Sequence, residues 1–85
     1  MTTLVSKNCI EIVTNLLNRQ ETARQALRDA EARYEAARQY MMADPSAENA
    51  LELHRARMQV RSLTEGLADI ERSLDHALLR DFYTL

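Results

Sequence analysis

Few side chains in this 85-residue sequence could do chemistry by themselves. Two histidines, His54 and His76, and one cysteine, Cys9, are the residues that would draw a transition metal or act as base and nucleophile. A zinc site on a helix needs a second His, Cys or carboxylate three or four residues from the first. His54 has none, and His76 has Arg72 and Arg80 at those spacings. Both histidines therefore read as solvated surface groups. A lone cysteine forms neither an internal disulfide nor a thiolate cluster. Cys9 also falls in step with an apolar repeat, which favours a small buried hydrophobe over a reactive thiol. With one glycine there is no phosphate-cradling loop, and no serine, histidine and acid group suggests a catalytic triad. The residue types point to a chain without catalytic residues, cofactor or metal.

Charge is the next candidate chemistry. Arg19, Arg24, Arg28, Arg33 and Arg38 crowd one stretch, but Glu21, Asp29, Glu31 and Glu35 are interleaved, so five arginines against four acids leave a net +1. That releases few phosphate counterions, and the whole chain carries −2. Nucleic acid is disfavoured as a partner. The acids and arginines instead stand at helix spacing, Asp29 with Arg33 and Arg61 with Glu65 four apart, Glu21 with Arg24 and Asp69 with Arg72 three apart.

The elements that position these side chains must be helices. Glycine and proline occur once each and aromatic residues make up 5%, too few turn formers and ring residues for a multi-stranded sheet. Charged residues at 28% and hydrophobic residues at 46% are too apolar for a disordered tail, and no apolar run approaches the roughly 18 residues of a membrane span. The first residues lack the basic start and apolar stretch of a secretory signal. With the single cysteine, that gives the expectation of a cytoplasmic, reducing location.

One punctuation mark divides the chain. Pro45 disfavours helix at the residue before it and suits the first turn of a helix after it, with Asp44 placed to cap that helix and Glu48 to complement its dipole. Before it, Cys9, Val13, Leu16, Gln20, Ala23, Leu27, Ala30, Tyr34, Ala37 and Met41 alternate spacings of four and three. After it, Leu53, Ala56, Val60, Leu63, Leu67, Ile70, Leu74 and Ala77 do the same. These are heptad seams. The expected fold is all-α: one domain, an antiparallel two-helix hairpin of coiled-coil type, with helix one over about 4–43, the turn at 44–46 and helix two over about 46–82. Folding about Asp44-Pro45 sets Ala37 near Leu53, Tyr34 near Ala56, Ala30 near Val60, Ala23 near Leu67 and Leu16 near Leu74. Gly66 flanks the seam, either to admit a close neighbour or with no role at all.

A single seam does not account for every apolar residue. Val5 and Ile12 flank one side of the first heptads, Ile10 and Leu17 the other, and Leu4 lies outside both. Further along, the equivalent positions turn polar, at Arg19, Arg24, Glu31, Arg33 and Arg38. Leu78, Leu79, Phe82, Tyr83 and Leu85 extend past the second seam, and in a hairpin they come beside the first group. The open end is thus expected to carry an apolar patch. Leu51 and Met58, seven apart on the outer face of helix two, with Tyr40 and Met42 near the same tip, read either as scattered surface residues or as a second contact strip. Chains this small usually need a disulfide, a metal or association, and the residues leave only association. The partner-binding candidates are Val5, Ile10, Ile12, Leu17, Leu78, Leu79, Phe82, Leu51 and Met58.

In length, hairpin layout and heptad pattern, nearly the whole chain resembles the small helical-hairpin co-chaperones of bacterial type III secretion needle subunits. The resemblance implies a non-catalytic cytosolic subunit that binds and stabilises a tetratricopeptide-like chaperone, the pair holding the needle protein unpolymerised. The run from Tyr40 to Ala50 also resembles a junction between tetratricopeptide repeats. A 34-residue repeat would need a further break near Asn15 to Ala30, where there is no glycine or proline, so pairing with such a protein is favoured over being one. The alternative is a self-associating hairpin forming a four-helix dimer with a scaffolding role. An antitoxin-like or nucleic-acid-associated regulator stands third.

The seam and the excess make separable predictions. A charge at Leu63 or Leu67 should unfold the hairpin, seen as lost helical circular dichroism. A charge at Leu17 or Leu78 should abolish partner binding with helical content largely kept.

Overall fold

The computed structural model describes residues 7–80. Two helices, α1 over Lys7–Ala43 and α2 over Ala47–Leu78, lie against one another as an antiparallel hairpin, with no strand among the described residues. The molecule is a rod of 67 × 15 × 13 Å. Most of its length is α1: 37 residues without an internal glycine or proline rise about 55 Å at 1.5 Å each.

The reversal is built from reciprocal caps. Ser46, not Asp44, caps α2: its backbone is extended (φ −146°, ψ 162°) and its hydroxyl accepts from the Asn49 N–H at 3.1 Å. Had α2 started at Pro45, Asp44 alone would have had to span helix axes that pack about 8–10 Å apart. Starting two residues later, at Ala47, gives a three-residue link. Asn49 returns the favour to α1, whose last turn holds no basic residue. Its side-chain amide donates to the carbonyls of Asp44 at 2.8 Å and Tyr40 at 3.4 Å, while the Asp44 N–H also donates to Tyr40 at 2.9 Å. Orphan carbonyls at the end of one helix are thus satisfied from the first turn of the next.

Every residue of the two predicted seams is buried or half-buried. Full burial is rare. Leu16, Leu74 and Ala77 form a core cluster toward the open end, with Ile12, Val13 and Leu78 packed against it, and Ala30 is the fourth buried residue among those described. Leu16 meets Leu74, as folding about Asp44-Pro45 predicts. Two cylinders in contact cover one stripe each, so the remaining seam residues stay partly wet.

Gly66 does not mark a close approach. It is exposed, and a Cβ built there meets nothing within 4 Å. Since its conformation is helical, Gly66→Ala should stabilise the hairpin by about 0.5–1 kcal/mol in thermal or urea unfolding. A loss of stability would mean that a neighbour does press on this site.

Candidate interaction surfaces

The candidate residues distribute over three surfaces. At the open end Ile10 and Leu17, seven apart on one flank of α1, are about half exposed (52% and 48%). Ile12 and Leu78 are drawn inward instead: both are half-buried and pack on the Leu16–Leu74–Ala77 cluster. A charge at Leu78 would therefore damage the core as well as a contact surface, which leaves Leu17 and Ile10 as the cleaner probes of the patch. Val5 and Phe82, with Leu4, Tyr83 and Leu85, lie outside the described residues.

The second surface is the back of α2. Leu51, Met58 and Leu79 are all exposed, and successive steps of seven carry the stripe from Leu51 through Met58, Glu65 and Arg72 to Leu79. Leu79 thus belongs in register with Leu51 and Met58 rather than beside Ile10 and Leu17. Glu65 and Arg72 interrupt the stripe, and each holds a partner one turn away: Arg61 reaches Glu65 at 3.5 Å, and Arg72 pairs with Asp69. Tyr40 and Met42, both about two-thirds exposed, make a third apolar spot at the reversal.

The polar contacts across the seam are the part that spacing alone did not supply. Gln20, the one polar member of the first seam, donates to Glu71 at 3.4 Å, and Arg24 pairs with the same carboxylate at 3.5 Å. Arg24 therefore reaches α2 instead of Glu21, which pairs with Arg28 at 3.7 Å. Asp29 accepts from Gln25 at 3.0 Å rather than pairing with Arg33. The signal for the cross-helix bridge lay in the fold-back itself, which sets position 20 against position 70 and brings a carboxylate at 71 within reach.

The charged surface elsewhere is ordinary helix exterior. The Arg38 guanidinium, and then the Gln39 amide, hold the Glu35 carboxyl below the usual carboxylate range, and Glu35 in turn holds Arg38 above its own. A lowered carboxylate pKa means that this pair favours the helix at neutral pH and stops doing so once acid protonates Glu35. Both groups are solvent-exposed, so the effect is small. His54 and His76 are exposed, and among the described residues no group of three His, Cys, Asp or Glu could hold a metal ion. Among the described residues no helix is long and apolar enough to cross a membrane.

The fold so defined is a two-helix hairpin with apolar side chains left uncovered on several faces. No protein-family model matches the chain, and no curated protein or solved structure matches it either.

The polar bridge predicts a trade of stability against specificity. Gln20→Leu should raise the unfolding midpoint, because a half-buried polar layer is replaced by an apolar one. It should also loosen helix register, visible as broadened amide resonances along the seam. A lower midpoint would show that the Gln20–Glu71 bond contributes net stability.

Proposed function

We propose that the chain is a non-catalytic interaction subunit that completes its core on another helical protein. The observation that carries this reading is the imbalance of burial: four apolar side chains are buried among residues 7–80, while seven large ones, Ile10, Leu17, Tyr40, Met42, Leu51, Met58 and Leu79, are exposed. A domain this small normally gains its stability from association when it has neither disulfide nor metal. The hairpin layout and heptad pattern fit a cytoplasmic bacterial co-chaperone of type III secretion. In that role it would lend an apolar helical face to a tetratricopeptide-like chaperone and so stabilise a needle-subunit complex. Ile10 and Leu17 are the described residues proposed to make that contact, with Val5 and Phe82 as further candidates.

The alternative is a homodimer, two hairpins forming a four-helix structural element. The apolar spacing of Leu51 and Met58 on the back of α2 favours it, because a twofold axis would set one such strip against another.

Sedimentation of the isolated chain across a concentration range separates the two. The co-chaperone reading expects weak, concentration-dependent self-association that gives way to a 1:1 complex when a tetratricopeptide-like chaperone is added. It also expects Leu17→Glu to lose that complex while keeping its helical circular dichroism. A tight dimer that excludes other partners would sink it, and a gene located away from any secretion apparatus would count against it.

A further inference from the structure

The two flanks of the seam differ. On one, Glu71 reaches across to Gln20 and Arg24 and closes the gap between the helices. On the other, short side chains line the stretch around Gly66. Ser62, Gly66 and Ser73 of α2 stand opposite Thr22, Ala23 and Ala26 of α1, and a groove runs between them over Leu63, Leu67 and Ile70. The same flank continues toward the reversal as a second groove over Ala36, Ala37 and Ala56, ending at Tyr40.

We propose that this flank is a docking groove for one acidic, amphipathic helix of a partner protein. From Arg19 to Tyr40 it follows 22 residues of α1, about 30 Å at 1.5 Å per residue, the length of a five- to six-turn helix. A third helix packs beside two others at about 8–10 Å, and small flanking side chains let it reach the apolar floor. At Gly66 a Cβ would meet nothing within 4 Å, so the approach is unobstructed there.

Charge selects the occupant. Of the five α1 arginines, Arg24, Arg28 and Arg38 are ion-paired with Glu71, Glu21 and Glu35. The remaining two, Arg19 and Arg33, line the grooves and have no hydrogen-bond or ion-pair partner among the described residues. They are fourteen apart, four turns, so their guanidinium groups stand on the same edge about 20 Å from one another. The acids on the opposite edge, Glu52 and Asp69, are already paired with Arg55 and Arg72. The groove thus offers an apolar floor and two arginines that no ion pair holds among the described residues. Carboxylates flanking the apolar stripe of a helix complement both. A second copy of the chain would bring the same two arginines, and the acids that line the groove, Glu52 and Asp69, are already held by Arg55 and Arg72; a nucleic acid backbone has no apolar stripe to fill the floor.

The test uses the full chain and two synthetic 20-residue amphipathic helices with the same apolar stripe, one flanked by glutamate and one by lysine. Fluorescence anisotropy should show the glutamate peptide binding about tenfold or more tightly than the lysine peptide. The double variant Arg19→Glu and Arg33→Glu should reverse that preference. Gly66→Phe should fill the groove and abolish peptide binding while helical circular dichroism is kept, since the position is open. Equal binding of both peptides, or binding unaffected by Gly66→Phe, would overturn the proposal. So would loss of a homodimer in Gly66→Phe, which would make a second copy the occupant, or displacement of the peptide by duplex DNA. The groove lies across the seam from Ile10 and Leu17. Its failure is read on the peptide and Gly66→Phe, whereas failure of the co-chaperone reading is read on Leu17→Glu and a protein partner.

Discussion

A chain that reverses only once gives each helix one neighbour, and the rest of the structure depends on that constraint. A cylinder touching one other cylinder can hide a single stripe, so the hairpin buries Leu16, Ala30, Leu74 and Ala77 and leaves the other seam residues partly wet. The reversal that imposes this is tight because each helix caps the other: the Ser46 hydroxyl begins α2, and the Asn49 amide ends α1. Three residues suffice between them.

The seam also gives the molecule its sidedness. A heptad stripe is symmetric about its own axis, and apolar packing alone would let two helices roll against each other. Gln20 interrupts the apolar series, and its partner Glu71 sits on one flank only, where Arg24 reinforces it. The consequence is one bridged flank and one open flank, on which Gly66, Ser62 and Ser73 leave a groove and Arg19 and Arg33 have no ion-pair partner among the described residues. A bond whose net contribution to stability is modest thus accompanies the difference between two faces that the heptad pattern treats alike.

Much of the candidate surface was readable from the residues. Ile10, Leu17, Leu51, Met58 and Leu79 fall off the heptad, and all five are exposed. Ile12 and Leu78 fall off it too, yet both pack on the Leu16–Leu74–Ala77 cluster. Spacing says which flank a residue occupies and says little about how far its neighbours reach. The cap moved by two residues for a comparable reason: Asp44 and Ser46 are both good capping residues, and the distance between the helix axes, which no local sequence contains, selects the second.

The sequence by itself determined the class of fold, the place of the reversal and the identity of the seam. Those depend on local quantities, on turn-former scarcity, one proline and a repeat of 3.5 residues, that are complete before the chain folds. Only the tertiary structure decided that Arg24 pairs across the hairpin, which off-seam residues are drawn into the core and which flank stays open. Each of those depends on side chains from residues some fifty positions apart meeting across the hairpin, as Gln20 and Glu71 do, and that meeting exists only once the two helices are in register.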